Sequence, residues 1–520
     1  MLRKIFIVFA VFIIAFVLSC TKLHETFQGD LTPGQVTADT TSTAALLQGV
    51  YNSLEGPFTC HILVFPMAEL TTDEAIAPVR GQDWDDNGVW REFHQQKWNT
   101  NNSQISDCFK YLNGTVYAAT DMLRYHPKLQ EQAEARFLRA WAMYWLLDMF
   151  DQVPYRDPGE SVIQPARVRK GKEALDYINN EIEAVKADLP DGPAYKANKF
   201  AAKVLRMKYY LNKAVYINRA NPAPDAADMN TVINLADEII RSNQYSFSTN
   251  YFDNFAPDNT TIDSENIFTQ LDVAGSTQYN YLWYTWIIAL HYYQAPSGSN
   301  GWATLSDFYN KFEPADKRRG IVYNTAGSPP NPGNRINIGF LAGQQYDLTT
   351  DAPLTDRNGN LLIFTPEVKN IETGSNYEVT GIRPLKYAPD FPNLFSPDND
   401  FVYFRFSDVL LMKAEAILRG GTPTNAGPYG NTALAIVNAI RTDPSRGATP
   451  LSSIDLDGLL DERGRELWWE GWRRQDMIRF GKFLLPFQEK NYQSGPKYLL
   501  FPIPDDQLAF NHYLEQNPGY

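Results

Sequence analysis

Three glutamates near the C-terminal end of the chain have the spacing of a candidate carboxylate site. Glu462, Glu466 and Glu470 recur at every fourth position of a segment predicted to form one helix, 459–480, so they would share one face. Paired carboxylates carry out the chemistry of glycoside hydrolases. The same segment also contains five arginines: Arg463, Arg465, Arg473, Arg474 and Arg479. Guanidinium groups so close would hold the glutamates ionised, which favours a structural ion-pair network over a general acid.

Other catalytic signatures are missing from the sequence. The six histidines include no pair at metal-ligand spacing, and there is no H-E-x-x-H, G-x-S-x-G, P-loop or G-x-G-x-x-G motif. We therefore predict no catalytic residue, no metal ligand and no cofactor. No Asp-rich loop has the spacing of a calcium site, and the sequence leaves calcium binding open.

Aromatic residues make up 13% of the chain, with 11 Trp, 29 Tyr and 30 Phe. Aromatic rings stack on the apolar C–H faces of sugars, whose hydroxyls need polar partners nearby. One cluster, "TTDEAIAPVRGQDWDDNGVWREFHQQKWNTNN", combines both residue types. Its tryptophans are Trp84, Trp90 and Trp98, and among its polar residues are Asp73, Arg80, Asp83, Arg91 and Asn101.

A second cluster, "YNYLWYTWIIALHYYQAPSGSNGW", is followed later by the polar "GIRPLKY" with Arg383 and Lys386. The aromatic residues of this cluster include Trp283, Tyr284, Trp286, Tyr292, Tyr293 and Trp302. For each tryptophan the alternative is packing in the core, which the adjacent Ile287 and Ile288 favour for Trp283 and Trp286. The predicted ligand-binding residues are Asp73, Arg80, Trp84, Trp90, Trp98, Asn101, Trp283, Tyr284, Trp302 and Arg383.

The N-terminus has the pattern of an exported lipoprotein. Arg3 and Lys4 precede fourteen apolar residues, 5–18, and then Ser19 and Cys20. An apolar run of this length suits a signal peptide better than a membrane span, which needs about 20 residues. We predict a signal peptide at 1–19, a lipidated Cys20 and a polar tether at 20–43, with an uncleaved membrane anchor as the alternative.

Charge and cysteine content narrow the choice of partners. The net charge is −13, and removing Arg3 and Lys4 with the signal peptide gives −13 − 2 = −15. An acidic chain of this kind is disfavoured as a binder of nucleic acid. Cys60 and Cys108 are the cysteines that remain after Cys20, and both a disulfide and two buried thiols stay open.

Apolar periodicity predicts six further helices, at 131–150, 173–189, 198–216, 231–241, 407–418 and 431–441. Ser407 is the predicted N-cap of the fifth, and Gly420 and Gly421 end it. Small alanines alternate with bulky residues, and successive helices form pairs, as in tetratricopeptide-type hairpins. The region 243–404 is instead dense in Gly, Pro, Asn and Asp, which predicts long irregular loops.

Several segments resemble the SusD/RagB family of surface lipoproteins. "DERGRELWWEGWRRQDMIRFGKF" resembles the family's C-terminal signature, and "YFRFSDVLLMKAEAILRGG" and the closing "FPIPDDQLAFNHYLEQNPGY" resemble other conserved segments. "AEARFLRAWAMYWLLDMFDQVPY" and "LLQGVYNSL" match the beginning of the family pattern. The resemblance covers nearly the whole chain after Cys20, in the same order.

The resemblance implies a mostly α fold: a single SusD-like domain with four tetratricopeptide-like helical hairpins and long irregular ligand-binding loops. The domain would span 44–520, with an N-terminal half at about 44–240, a loop-rich insert at about 243–404 and a C-terminal half at about 330–520.

It also implies a function. Members capture an oligosaccharide or polysaccharide at the outer face of the outer membrane and deliver it to a SusC-like TonB-dependent transporter, without enzymatic activity. Capture of peptides on the same scaffold is the alternative, and a glycoside hydrolase built on Glu462, Glu466 and Glu470 is the third hypothesis.

Overall fold

The structure of the protein is a computed structural model that describes residues 40–276 and 280–520. The predicted signal peptide, Cys20 and most of the predicted tether lie outside the described residues. Within those two ranges, no helix combines the length and the apolar character that crossing a membrane requires.

The described residues form α-helices throughout the chain, which confirms the prediction of a mostly α fold. In the first half they are α1 (Thr40–Asn52), α2 (Val64–Glu69), α3 (Val89–His94), α4 (Ser103–Leu123), α5 (Leu129–Phe150), α6 (Gly171–Val185), α7 (Lys199–Ile217) and α8 (Ala226–Arg241). In the second half they are α9 (Asn259–Ile262), α10 (Tyr284–Ile287), α11 (Ser306–Tyr309), α12 (Phe406–Leu418), α13 (Ala433–Arg441), α14 (Leu456–Leu467), α15 (Arg473–Arg479) and α16 (Asp505–Phe510).

The strands are short and pair into small sheets. They are β1 (Ala75–Ile76), β2 (Val79–Arg80), β3 (Gln152–Tyr155), β4 (Arg167–Lys170), β5 (Asn266–Gln270), β6 (Ala303–Thr304), β7 (Gly320–Ile321), β8 (Ile338–Leu341), β9 (Gly343–Gln344), β10 (Ile363–Phe364), β11 (Ile371–Glu372), β12 (Arg383–Leu385) and β13 (Phe401–Arg405). β1 pairs antiparallel with β6, and β2 pairs parallel with β11. The loop between β1 and α3 is thereby held by segments from the later loop-rich region.

The long helices pack side by side in the order α4, α5, α6, α7, α8, α12 and α13. The predicted pairs α5 with α6, α7 with α8, and α12 with α13 are all in contact, which confirms them. Local signals set the ends of these helices: Asn198 accepts hydrogen bonds from the N–H groups of Phe200 and Ala201, and Gly421 N–H donates to Ala416 O at 2.9 Å after α12.

Helix α5 is the centre of the core. Trp141 on this helix is fully buried and packs against Phe58 and Phe404, with ring centroids 5.5 and 5.0 Å apart. Burial of large apolar side chains stabilises the fold by roughly 25 cal/mol per Å² of apolar surface. Phe404 belongs to β13, so the core joins the helical array to the loop-rich region.

The predicted single helix 459–480 is wrong, because the structure breaks it between α14 and α15. Trp469 has φ +60° and Gly471 has φ +80°, outside the helical region. Their backbone N–H groups donate to buried carboxylates instead, Trp469 to Glu74 and Gly471 to Glu69. Glu470 therefore lies in a connecting turn and does not continue the helical row of Glu462 and Glu466.

Ser407 does not cap α12, so that prediction is also wrong. The helix begins one residue earlier, and Arg405 occupies the N-cap position without a side-chain cap. The Ser407 hydroxyl donates to Glu265 and accepts a hydrogen bond from Arg446 at 2.9 Å. Ser407 therefore belongs to a buried polar cluster rather than to the end of the helix.

Glu466 is the centre of that buried charge cluster. Its carboxylate lies 2.6 Å from Arg405, 2.7 Å from Arg446 and 3.0 Å from Arg318. Glu470 contacts Arg405 at 2.8 Å and Lys386 at 2.9 Å. All these side chains are buried, which agrees with the prediction of a structural ion-pair network.

Glu462 belongs to the same network, with Arg465 at 2.6 Å, Arg318 at 2.7 Å and Arg441 at 2.8 Å. Burial alone would raise the pKa of Glu462, but these three guanidinium groups outweigh it and lower the pKa from 4.5 to about 2. The pKa of Glu466 is also lowered, because Arg446, Arg405 and Arg318 outweigh its burial.

Cys60 and Cys108 are buried free thiols in the structure. Burial raises the pKa of Cys60 to about 11, so its thiol stays protonated. Of the two alternatives left open by the sequence, the structure shows the unpaired one.

We predict that Glu466→Gln lowers the free energy of unfolding by about 3–5 kcal/mol, because it removes the carboxylate charge that three buried guanidinium groups share. Glu173→Gln is the matched control: Glu173 is exposed and forms a surface pair with Arg169 at 3.6 Å, a kind of contact that contributes less than about 1 kcal/mol. Urea unfolding followed by circular dichroism measures both changes. Equal values for the two variants would contradict the structural importance of the cluster.

We also predict that part of the fall in the free energy of unfolding at low pH depends on Glu462. The pKa of Glu462 is lower in the folded chain, so the unfolded chain binds its proton more tightly. The stabilisation is complete above about pH 4.5 and is lost as the pH falls toward 2. Urea unfolding between these pH values should show a steeper loss for the wild type than for Glu462→Gln, and identical slopes would contradict this assignment.

Candidate ligand-binding surface

The structure separates the predicted ligand-binding residues into buried and accessible groups. The side chains of Arg80, Trp90, Trp98, Trp302 and Arg383 are buried. Trp84, Trp283 and Tyr284 are partly exposed, Asp73 is partly exposed but ion-paired, and Asn101 is exposed. Only the accessible residues offer atoms to a ligand in this structure.

Trp302 is 0% exposed and lies in the core beneath the loops. Its ring is stacked at 6.0 Å from that of Phe65 and meets Trp90 and Trp469 edge-on at 5.8 and 6.2 Å. Trp90 is itself buried and donates its indole N–H to Asp86 at 2.6 Å. This packing corrects the expectation that Trp90 and Trp302 are stacking platforms, because neither ring offers a free face to a ligand in this structure.

Trp98 and Asn101 lie apart from this group. The Trp98 indole N–H donates to the Tyr520 hydroxyl at 2.7 Å, and its ring packs against Tyr498 and Phe501. Trp98 therefore anchors the C-terminal segment, which corrects its predicted role in ligand contact. Asn101 is exposed in the turn before α4, and its backbone N–H donates to Asn99 at 2.8 Å.

Arg80 and Arg383 hold the loops together from below. Arg80 donates to the carbonyl oxygens of Gly301 at 3.1 Å and Tyr377 at 2.6 Å. Arg383 donates to Asn300 Oδ1 at 2.8 Å and to carbonyl oxygens between 378 and 381. Both were predicted to bind the ligand, but both side chains are fully buried and donate to backbone and side-chain oxygens of the surrounding loops.

Burial also changes the electrostatics of these two arginines. Burial lowers the pKa of Arg80 to about 10, an effect partly opposed by Glu372, Tyr292 and Glu378. Burial and the charge of Arg80 lower the pKa of Arg383. The two buried guanidinium groups hold the loop backbone in place, because hydrogen bonds from charged donors are stronger than those from neutral donors.

Asp73 is committed to an ion pair. Arg473 on α15 contacts both of its carboxylate oxygens, at 2.7 and 2.8 Å. Burial would raise the pKa of Asp73, but Arg473 and Lys311 outweigh it and the pKa is lowered. Asp73 thus fixes the start of the first loop to the scaffold, and its predicted role as a partner for ligand hydroxyls stays a prediction.

The accessible residues around Trp84 form a group that we call the Trp84 surface: Asp83 and Trp84 from the first cluster, Tyr292 and Tyr293 from the second, and Arg357 from a later turn. Trp84 donates its indole N–H to Ser299 O at 2.9 Å. Its ring covers Gly301 so closely that a Cβ there would lie 2.3 Å from the indole. A glycine at 301 is therefore required for this ring position.

Tyr292 and Arg357 complete the surface. The Arg357 guanidinium lies over the Tyr292 ring, 4.2 Å from its centroid. The Tyr292 hydroxyl donates to Asp83 at 3.0 Å, and Arg357 also contacts Glu378 at 2.5 Å. Glu378 is buried and accepts a contact from His291 at 3.0 Å, which ties the surface to the core. The result is an accessible set of aromatic rings with polar groups at its edge.

Arg357 is absent from the residues predicted from the sequence. It lies in a polar turn, "DRNGN", with no aromatic neighbour in the chain, and only the tertiary fold brings it to Tyr292. Asp83 and Tyr292 belong to the aromatic clusters noticed in the sequence but were not among the predicted ligand-binding residues. The polar residues on both sides of Trp84 were the local signal for an exposed ring.

Trp283 and Tyr284 form a separate patch. Their rings are stacked with centroids 4.1 Å apart, and Trp283 meets Phe395 edge-on at 5.6 Å. Phe395 is 62% exposed. The second predicted cluster is therefore divided: Tyr292 contacts Asp83 in the Trp84 surface, whereas Trp283 and Tyr284 pack with Phe395.

Comparison with known proteins gives consistent relatives. The family model described as the SusD family matches residues 235–520. The starch-binding protein SusD of Bacteroides thetaiotaomicron is 25% identical over 438 residues, which cover 75% of this chain and 73% of that protein. The SusD-like protein P25 of Formosa agariphila is 24% identical, with 88% of this chain and 84% of that protein covered.

Solved structures show the same fold. A laminarin-binding SusD-like protein aligns with a TM-score of 0.69 at 17% identity, covering 92% of this chain and 99% of that one. Surface glycan-binding protein A of Bacteroides thetaiotaomicron, solved with laminarihexaose, aligns with a TM-score of 0.65 at 19% identity, covering 92% and 99%. The resemblance found in the sequence is confirmed, and the chain belongs to the SusD family.

Proposed function

We propose that the chain is a cell-surface lipoprotein that binds an oligosaccharide or polysaccharide on the Trp84 surface. In this proposal it passes the glycan to a SusC-like TonB-dependent transporter and does not modify it. Lipidation of Cys20 would hold it at the outer face of the outer membrane, because acyl chains contribute about 0.8 kcal/mol per buried methylene.

The observation that carries the proposal is the arrangement of Trp84, Tyr292, Arg357 and Asp83. Two partly exposed rings lie beside an arginine and a carboxylate, and each is held by a contact to another loop. A sugar needs this combination of apolar faces and directional polar partners. The relatives described as starch-binding and laminarin-binding support a glycan as the ligand class.

A rigid surface also suits capture. Arg80 and Arg383 fix the loops around Gly301 and Tyr377 through buried hydrogen bonds. Because the rings are already in place, binding has less side-chain and loop entropy to lose. Trp84 and Tyr292 are partly exposed and Tyr293 is 51% exposed, and an accessible aromatic platform of this kind favours a glycan over a peptide as the ligand.

We predict that Trp84→Ala and Tyr292→Ala each weaken binding of the preferred glycan at least about tenfold, or about 1.4 kcal/mol, because each removes an accessible ring face. A panel of plant, algal and host polysaccharides, screened by affinity electrophoresis and then by isothermal titration calorimetry, identifies the ligand and measures the change. Melting temperatures show whether each variant is folded.

Tyr117→Ala is the matched control for these variants. Tyr117 is also an accessible aromatic residue, 49% exposed, but it lies on α4 outside the Trp84 surface. Its substitution should leave affinity unchanged. Unchanged affinity in both Trp84→Ala and Tyr292→Ala would reject the Trp84 surface as the binding site, and binding of peptides but of no glycan would favour the peptide alternative.

We further predict that incubation with the bound glycan yields no new reducing ends. Glu462, Glu466 and Glu470 are buried, and arginines hold each of them in an ion pair, so they cannot reach a glycosidic bond. Reducing-end detection over many hours, with a glycoside hydrolase as positive control, measures this directly. Steady product release by the purified protein would support the hydrolase hypothesis.

A further inference from the structure

A cavity of about 430 Å³ lies beside the Trp84 surface and has no role in the function proposed above. Its walls come from the segment 290–295, the end of α11, the residues 319–320 and the segment 335–348. Pockets for small ligands have volumes of about 300–1,000 Å³. The lining includes Gln294, Tyr309, Arg319, Arg335, Asn337 and Tyr346.

The charged residues that line this cavity are all basic. Its lining contains two arginines and no aspartate or glutamate. The whole chain has 60 acidic and 47 basic residues, so a wall without carboxylates runs against the composition. An anion inside the cavity would meet favourable charge without repulsion from its walls.

Arg319 is the residue that makes this charge available. Its neighbour Arg318 is fully paired with Asp316, Glu462 and Glu466. Arg319 forms no ion pair with any residue in the described part of the chain. Its guanidinium donates from Nε to the Tyr309 hydroxyl at 2.7 Å and lies 4.3 Å from the centre of that ring. The side chain is therefore held in position but keeps an uncompensated charge.

Arg335, the second arginine of the lining, differs from Arg319 because it is paired with a carboxylate. Asp351 pairs with it through two contacts at 2.8 and 3.1 Å, and its guanidinium stacks 3.6 Å from the centre of the Tyr346 ring. Its charge is largely compensated, and its geometry is set before any ligand arrives. The aromatic and amide groups of the lining suit the ring and hydroxyls of a sugar.

One short loop, 290–295, contributes residues both to the cavity and to the Trp84 surface. Gln294 lines the cavity and accepts a hydrogen bond from the His291 backbone at 2.8 Å. Tyr292 in the same loop belongs to the Trp84 surface through its contact with Asp83. The inference below requires a glycan long enough to extend from the surface to the cavity along this loop.

We propose that this cavity binds the acidic group of a charged sugar, a uronate carboxylate or a sulfate ester, with Arg319 as its counter-ion. The inference rests on the glycan-binding function proposed above and specifies the ligand class. It predicts that the preferred glycan is anionic, although the protein itself carries a net charge of −13.

The test is calorimetric titration of the folded chain with matched oligosaccharides. The probes are oligomers of galacturonate and of glucuronate, a sulfated galactose oligosaccharide and a neutral galactose oligosaccharide of the same length. We expect at least one acidic probe to bind at least about tenfold more tightly than the neutral one, and the two kinds of acidic probe distinguish a carboxylate from a sulfate. Affinity should fall as salt is raised, because the interaction is between charges.

Substitutions at Arg319 test whether the cavity causes the preference for acidic probes. Arg319→Gln should weaken the acidic probe at least about tenfold, and Arg319→Lys should weaken it less, because it keeps the charge. Lys317→Gln is the matched control: it removes the same charge two positions away, but Lys317 is exposed, donates to Pro444 O and does not line the cavity. It should leave affinity unchanged.

Several results would overturn this inference. Equal affinity for neutral and acidic probes, or unchanged affinity in Arg319→Gln, would reject the cavity while leaving the glycan-binding function intact. Binding of peptides through a free carboxylate, without binding of any acidic sugar, would reject the sugar class. Absence of binding to every acidic probe would reject the cavity, whereas the glycan-binding function is decided separately by the Trp84→Ala and Tyr292→Ala variants.

Discussion

The carboxylate of Glu466 is buried among three arginines that come from three separate parts of the chain. Arg318 belongs to the loop-rich region, Arg405 ends β13, and Arg446 follows α13. Removal of such charges from water costs several kcal/mol for each ion, and only close contact with opposite charges compensates for that cost. A movement that separated one arginine from Glu466 would remove part of the compensation from both buried charges. The loops and the helical array are therefore fixed relative to each other.

Buried charged groups also fix the loops of the candidate site. Asp73 is held by Arg473, and the buried Arg80 and Arg383 donate to the backbone of the loops that surround Trp84. Several residues predicted to contact the ligand thus position the accessible ones. A protein that captures a ligand without chemistry gains from this rigidity, because affinity depends on how little order has to be created on binding.

The helices could be predicted from the sequence because their apolar spacing and caps are local. The break after α14 could not, since it depends on Glu69 and Glu74, which lie far away in the chain and accept the N–H groups of Gly471 and Trp469. The aromatic residues show the same limit: Trp302 and Trp84 are equally suited to stacking, and only tertiary packing buries the first. Local polarity gave the one usable signal, because charged residues flank Trp84.

The most direct test of the account is a crystal structure of the protein with its tightest-binding oligosaccharide. We expect a sugar ring against Trp84 and Tyr292, with hydroxyls near Asp83 and Arg357, and with the Trp302 ring still buried against Phe65. A sugar stacked on Trp302 after a rearrangement of the loops, or bound only at Trp283 and Tyr284 with the Trp84 surface empty, would contradict it.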